Sequence, residues 1–209
     1  MFISFEGMDG SGKTTQVSRV ISELRSHGHN LLVTREPGGT EVGEQIRTIL
    51  MDKANTAMTA RAELLLFCAS RAQLVSSVIR PHLESGGVVI CDRYIDSSLA
   101  YQGYGHGLGA EAVSPVLDFA TGGLVPDLTV YLDISPEEGL HRRAQAALKG
   151  EEFTRLDAMA TEFHQRVYAG YAEIGRRAGR RWAPVDAAQP PDAVFEAIMT
   201  LVNLRLAAR

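Results

Sequence analysis

A glycine-rich stretch near the start of the chain combines backbone freedom with a cation and hydroxyl groups. The segment GMDGSGKTT, at 7–15, directly follows the apolar run MFISFE. Its spacing fits G-x-x-x-x-G-K-[ST], in which glycines let backbone N–H groups surround a phosphate. Lys13 would reach the β- and γ-phosphate oxygens, and the Thr14 hydroxyl could ligate Mg²⁺. The pattern favours a nucleoside triphosphate site over a turn that binds nothing, and that site would comprise Gly7, Met8, Asp9, Gly10, Ser11, Gly12, Lys13, Thr14 and Thr15.

A second polar pair follows the apolar run VVIC at 88–91. Asp92 would end a buried strand, where its carboxylate could hold the water shell of a Mg²⁺ ion that Thr14 also binds. A strand-end aspartate can also be a simple cap, but ligands favour the carboxyl edge of a parallel sheet. Arg93, the next residue, would point a fixed cation towards the phosphates. Because the chain lacks the N-K-x-D motif of GTPase switch proteins, the pair favours a small phosphotransferase.

The elements that must position these residues alternate along the chain. Apolar runs predict buried strands at 2–5, 31–34, 88–91, 128–134 and, less regularly, 181–185. Helical periodicity predicts helices at 13–27, 41–53, 60–84 with a kink or restart at Pro81, 95–103, 110–121, 136–148, 157–178 and 192–206, the last capped by Asp192. The alternation predicts an α/β fold: the P-loop NTPase three-layer α/β/α arrangement with a five-stranded parallel sheet. With no repeat or long linker, 1–209 is expected to form one domain.

Composition and charge exclude several classes of partner. The chain has 209 residues, 45% hydrophobic and 22% charged, with a formal net charge of -4. Excess negative charge argues against a broad nucleic-acid-binding surface, because phosphate backbones are held by surplus Lys and Arg. No apolar run approaches the ~18 residues that a membrane span needs, and Glu6 interrupts any signal-like start. Cys68 and Cys91 lie in apolar runs and are expected in the core. We therefore expect a cytoplasmic protein without membrane partners.

Six segments carry a close resemblance to one family: FEGMDGSGKTTQ (5–16), REPGGTEVGEQIR (35–47), LLLFCASRAQL (64–74), CDRYIDSSLAYQGYG (91–105), VPDLTVYLDI (125–134) and TRLDAMATEFHQRVYAGY (154–171). They span almost the whole chain and resemble the thymidylate kinases, which are P-loop nucleoside monophosphate kinases. The resemblance implies phosphoryl transfer from ATP to dTMP with Mg²⁺, a homodimer and a mobile lid.

Two groups of side chains would form the pocket for the base. Phe67 and Arg71 are four residues apart, so they share one face of a predicted helix. Alone, this spacing favours a core phenylalanine and a solvated arginine over a base site, but the resemblance implies that Phe67 stacks thymine and Arg71 contacts its O4 atom. Ser98, Tyr101 and Gln102 also share a face. The resemblance places Ser98 and Gln102 at the base edge and Tyr101 where a ribose 2′-hydroxyl would lie.

Further residues are expected around the sugar and the acceptor phosphate. Arg47 and Arg93 are the candidates for binding the acceptor phosphate. The resemblance implies that Glu36, followed by Pro37, faces the sugar. It also places Asp9 near the 3′-hydroxyl and the phosphate, although a turn-stabilising aspartate is an equal alternative.

The predicted lid, at about 142–155, has fewer cations than the resemblance would lead us to expect. Arg142 and Arg143 are the first candidates to stabilise the transferring phosphoryl group, while Lys149 lies further along. Arg155 would anchor the lid or contact adenine. A charged helix surface remains the alternative for each of these residues.

Two rival functions are compatible with the phosphate loop. A deoxynucleoside kinase would need a carboxylate base near a 5′-hydroxyl, whereas Arg47 and Arg93 suit a phosphate. A non-catalytic nucleotide-binding regulator is disfavoured because Lys13, Thr14 and Asp92 are all present beside Arg93.

Overall fold

Five parallel strands form the centre of the molecule. The computed structural model describes residues 1–148 and 154–208. The strands are β1 (Phe2–Gly7), β2 (Leu31–Arg35), β3 (Val88–Asp92), β4 (Leu128–Asp133) and β5 (Trp182–Asp186). Their order across the sheet is β2-β3-β1-β4-β5, and all four pairings are parallel. The predicted five-stranded parallel sheet is confirmed. Because β1 is central, the loop that follows it lies between the carboxyl ends of β3 and β4.

Helices connect the strands and cover the sheet. They are α1 (Lys13–Ser26), α2 (Glu41–Met51), α3 (Ala60–Leu74), α4 (Arg80–Glu84), α5 (Ile95–Ser98), α6 (Ala110–Thr121), α7 (Pro136–Leu148), α8 (Thr161–Ala178) and α9 (Pro191–Ala207). Two π-helical segments, Val75–Ile79 and Leu99–Gly105, continue α3 and α5, and a 3₁₀ turn spans Gly179–Arg181.

The two faces of the sheet bury separate apolar clusters. Ile3 and Phe5 belong to the cluster that includes side chains of α1, α8 and α9, whereas Phe2 belongs to the cluster formed with α3 and α6. This alternation follows from the strand geometry, which directs successive side chains to opposite faces. Cys68 and Cys91 are free and buried, as predicted for core residues. The three-layer α/β/α arrangement is therefore confirmed.

The run Ala60–Glu84 contains a π turn that the sequence did not predict. After the π segment Val75–Ile79, α geometry restarts at Arg80, next to the predicted restart at Pro81. Pro81 lies in the first turn of α4, where the missing N–H costs little. The run is long and apolar enough, by length and composition, to cross a membrane. Leu64 and Leu74 of this run lie in the core, however, so its apolar composition fits a helix that packs inside a domain.

Three predicted boundaries were wrong. The predicted helix 157–178 begins only at Thr161, because the Asp157 carboxylate accepts from the Thr154 backbone N–H at 2.7 Å and forms a turn there. The predicted helix 95–103 leaves α geometry after Ser98 and continues as a π segment to Gly105. Asp192 does not cap the last helix, which begins at Pro191; its carboxylate instead pairs with Arg19 at 2.8 Å.

Candidate active site

The glycine-rich stretch forms a loop between β1 and α1, as its spacing predicts. Gly10 and Gly12 have φ angles of 81° and 84°, which are left-handed conformations that glycine adopts without strain. Lys13 is the first residue of α1, and its Nζ donates to the carbonyls of Gly7 at 2.9 Å and Met8 at 3.1 Å. Burial, together with the positive charge of Arg93, lowers the pKa of Lys13 to about 8. An anionic ligand on the loop would stabilise the charged form of Lys13 and offset the effect of burial.

Two adjoining cavities open at the carboxyl edge of the sheet. The loop cavity, about 420 Å³, is lined by the loop residues from Asp9 to Thr15 together with Asp92, Arg142 and Arg143. The inner cavity, about 130 Å³, lies between α3 and the α5 region. Every residue predicted to bind the acceptor lines it: Asp9, Glu36, Pro37, Arg47, Phe67, Arg71, Arg93, Ser98, Tyr101 and Gln102. Both cavities share Asp9, Glu36, Arg47, Arg93 and Thr154.

Arg93 occupies the junction of the two cavities in an unusual backbone conformation. Its φ of 69° is left-handed, which is costly for a residue with a side chain. The guanidinium donates to Asp9 Oδ1 at 2.7 Å and to Ser97 Oγ at 3.0 Å. Burial alone would raise the pKa of Asp9, but Arg93 and Lys13 outweigh it and hold that pKa below its ordinary value. Asp9 is therefore an ionised partner of Arg93.

A buried group behind Arg93 was missed by the sequence analysis. Glu6 is fully buried and accepts from the Tyr94 backbone N–H at 2.7 Å, Ser97 Oγ at 2.5 Å and Tyr171 Oη at 3.1 Å. Burial and the nearby Asp96 carboxylate raise the pKa of Glu6 to about 7. Its signal in the sequence is a charged residue in a mostly apolar strand. The group supports the turn that carries Arg93.

Thr14 and Asp92 lie on the loop cavity, where the sequence places a Mg²⁺ site. Thr14 is exposed, and Asp92 Oδ1 is buried without a hydrogen-bond partner among residues 1–148 and 154–208. Within those residues there is no group of three or more His, Cys, Asp and Glu side chains that could enclose a metal. A hydroxyl and one carboxylate nevertheless suit Mg²⁺, which prefers a few hard oxygen ligands and retains several waters.

A buried ion pair forms one wall of the inner cavity. Arg71 Nε donates to Glu36 Oε2 at 2.7 Å, and Arg71 also donates to Ser98 Oγ and the Tyr94 carbonyl, each at 3.1 Å. Both side chains are at most 2% exposed, so Arg71 does not extend into solvent. Burial opposes the charge of Arg71, but Glu36 more than compensates and raises its pKa. Burial raises the pKa of Glu36, with Arg71 acting in the opposite direction. These three hydrogen bonds fix the guanidinium plane beside half-buried Phe67.

An adjoining wall comes from α5 and the π segment after it. Tyr101 Oη donates to Asp9 Oδ2 at 3.2 Å, and burial raises the pKa of Tyr101, so the hydroxyl stays protonated. Gln102 Nε2 donates to Glu63 Oε1 at 2.7 Å. Ser98, which bonds Arg71, completes this wall, so the three residues predicted to share a face do line one cavity.

The predicted lid residues have separate environments. Arg142 donates to Glu138 Oε1 at 2.7 Å and to the Ala187 carbonyl at 3.0 Å. Arg143 makes two bonds to Asp157, at 3.1 and 3.2 Å. Arg155 Nη2 pairs with Glu63 beside the inner cavity, a placement that favours lid anchoring over an adenine contact. Lys149 lies outside the described residues.

Comparison with known proteins agrees with this geometry. Residues 5–198 match the family model described as thymidylate kinase. The chain belongs to the thymidylate kinase family. It is 47% identical to a thymidylate kinase of Roseiflexus sp. (strain RS-1), covering 100% of this chain and 96% of that protein. It is 43% identical to a thymidylate kinase of Bacillus pumilus (strain SAFR-032), covering 97% and 95%.

A crystal structure of thymidylate kinase from Ehrlichia chaffeensis is similar in fold, with a TM-score of 0.74 and 33% sequence identity. The match covers 96% of this chain and 98% of that one. The thymidylate kinase family therefore accounts for both the sequence and the architecture.

Proposed function

We propose that this chain transfers the γ-phosphoryl group of ATP to dTMP, giving ADP and dTDP. The observation that carries the proposal is the pair of adjoining cavities, one on a triphosphate-binding loop and one suited to a base. Asp9, Glu36, Arg47 and Arg93 belong to both. An acceptor phosphate at this junction would face the γ-phosphate of a nucleotide on the loop.

The chemistry depends on position and charge. An acceptor phosphate oxygen attacks the γ-phosphorus in line, so neither a covalent intermediate nor a dedicated general base is needed. Lys13 and Arg93 neutralise charge on the phosphates, and Asp9 holds Arg93 in place. Arg142 and Arg143 would add to this charge when the lid, at about 142–155 of a single domain 1–209, covers the loop cavity and excludes water.

Thr14 and Asp92 would hold Mg²⁺ on the loop cavity. The unpartnered oxygen of Asp92 supports this assignment. When bound, the ion supplies positive charge to the β- and γ-phosphates.

The inner cavity would accept thymine and a deoxyribose. Phe67 offers a ring face for stacking, and Arg71 offers its remaining N–H to a carbonyl such as O4. Tyr101 occupies the space of a 2′-hydroxyl. Glu36 Oε1, which is buried without a hydrogen-bond partner in 1–148 and 154–208, is available to accept from a sugar hydroxyl. A buried acceptor without a partner carries its full desolvation cost, so a ligand hydroxyl that donates to it would contribute strongly to the free energy of binding.

We infer a cytoplasmic homodimer that pairs through α3 and α6. Leu65 on α3 is 57% exposed and Phe119 on α6 is 91% exposed, and such apolar patches mark association surfaces. Sedimentation of the wild type and of Phe119→Glu tests this inference. The wild type should sediment as a dimer and Phe119→Glu as a monomer. A monomeric wild type, or a variant that is still dimeric, would refute it.

An ADP-release assay tests the catalytic proposal. Purified protein is supplied with Mg·ATP and with dTMP, thymidine or no acceptor, and Lys13→Ala serves as the matched negative control. Release that requires dTMP supports the proposal. A preference for thymidine would indicate a deoxynucleoside kinase, whereas no release with any acceptor would indicate a non-catalytic nucleotide-binding protein.

A further inference from the structure

A buried glutamate lies directly behind one of the side chains that line the inner cavity. Glu63 on α3 is 1% exposed, and its Oε1 accepts from Gln102 Nε2 at 2.7 Å. Gln102 lines the cavity, whereas Glu63 sits behind it among Gln102, His106 and Arg155. Glu63 thus contacts the cavity wall from the protein side, out of reach of a ligand.

The charge state of Glu63 determines which way the Gln102 amide points. Burial opposes ionisation of Glu63, but the contacts of His106 and Arg155 outweigh it and lower its pKa. An ionised carboxylate can only accept hydrogen bonds, so the Gln102 group facing it must be the NH₂. Within 1–148 and 154–208, Gln102 Oε1 makes no hydrogen bond to the protein. A carbonyl acceptor is therefore kept available for a ligand.

We propose that Glu63 is a positioning residue that selects pyrimidine bases with a hydrogen on ring atom N3, by holding the Gln102 amide in one orientation. The inference rests on the phosphorylation of dTMP in the inner cavity. Thymine offers an N3–H between two carbonyls, which matches an amide that presents Oε1 and its second N–H. Cytosine has an acceptor at N3, so its lone pair would face that of Oε1. An unpaired or repelled polar group in a buried site gives strong discrimination.

The test removes the orienting charge while keeping the shape. In Glu63→Gln, residue 63 can donate or accept, so the Gln102 amide is free to turn over. We expect kcat/KM for dTMP to fall while that for dCMP stays constant or rises, so that the dTMP-to-dCMP ratio drops roughly tenfold or more. The change in dTMP should appear mainly in KM. Glu111→Gln, at an exposed position in the first turn of α6, is the matched control because it makes the same substitution away from the cavity, and its ratio should equal that of the wild type.

A double-mutant cycle separates positioning from a merely structural role. If Glu63 acts through Gln102, then adding Glu63→Gln to Gln102→Leu should leave the dTMP-to-dCMP ratio unchanged. Equal losses for both acceptors, an unchanged ratio in the single variant, or additive effects in the cycle would each overturn the inference. If thermal melting shows Glu63→Gln unfolded, Glu63→Asp provides the comparison, because the shorter side chain retains the charge but withdraws from Gln102. A wild type that does not phosphorylate dTMP would instead refute the proposed function itself.

Discussion

Replacing Arg181 by leucine would leave the fully buried Asp96 carboxylate without its counter-charge. Arg181 binds both carboxylate oxygens, at 2.6 and 2.7 Å, and also donates to Thr129 Oγ1 at 2.7 Å. Removing one partner of a buried ion pair costs about 3–5 kcal/mol. Because the Arg181 side chain is 20% exposed, we expect a loss near the lower limit, about 3 kcal/mol. In a domain of this size that loss lowers Tm by roughly 6–12 °C.

Urea unfolding at pH 7.5, followed by circular dichroism, measures this loss directly. Arg176→Leu is the matched control: its pair with Glu173 is at the surface, and its side chain is 72% exposed, so no measurable change is expected. The double variant Asp96→Asn, Arg181→Leu should be more stable than Arg181→Leu alone, since it leaves no unpaired buried charge at position 96. A free energy of unfolding for Arg181→Leu within about 1 kcal/mol of wild type would refute this reasoning, as would a double variant less stable than the single one.

Four further outcomes are expected. Lys13→Ala should lose most turnover with the fold intact; retention of more than about a tenth of kcat, a barrier change under ~1.4 kcal/mol, would contradict the loop assignment. Because Tyr101 fills the 2′-hydroxyl position, kcat/KM should be far higher for dTMP than for UMP, and equal values would exclude that role. Alanine at Arg142 or Arg143 should lower kcat with little change in KM for dTMP at saturating Mg·ATP. Wild-type rates would show that the lid only excludes water and that these arginines do not stabilise the transferring phosphoryl group. The folded pKa of Glu6, about 7, exceeds its ordinary 4.5, so the native state binds the extra proton between these values. The free energy of unfolding should therefore fall as pH rises through this range, and Glu6→Gln should remove that fall in urea titrations. If the free energies of unfolding of the wild type and of Glu6→Gln change with pH in parallel, this role of Glu6 is refuted.

Local patterns were predictable from the sequence because their causes are local. The phosphate loop needs glycines, a lysine and a threonine at fixed spacing between a strand and a helix, and all of these lie within 7–15. Carboxyl-edge residues such as Asp92 followed from the parallel sheet. The cavity residues on α3 and α5 followed from helical spacing combined with the family resemblance.

Contacts between distant parts of the chain were not predictable in this way. Arg71 is buried because Glu36, 35 residues earlier, supplies its counter-charge. Glu6 interrupts an apolar run, and only the fold shows that Tyr171, 165 residues away, bonds to it. Glu63 and Gln102 meet across 39 residues. Spacing along one element carries no information about such partners. From the sequence alone, a buried glutamate or arginine therefore looks the same as a charged residue on the surface.

The π-helical segment Leu99–Gly105 makes the number of residues in the cavity wall as important as their identity. A π turn holds an additional residue compared with the α turn it replaces. Losing that residue would return the segment to α geometry and change which of its side chains, Tyr101 and Gln102 among them, face the cavity. Point substitutions change what Tyr101 and Gln102 can offer a ligand, whereas a single-residue deletion changes which way they face. Relatives that gain or lose a residue here can thus acquire a different base preference without exchanging either side chain.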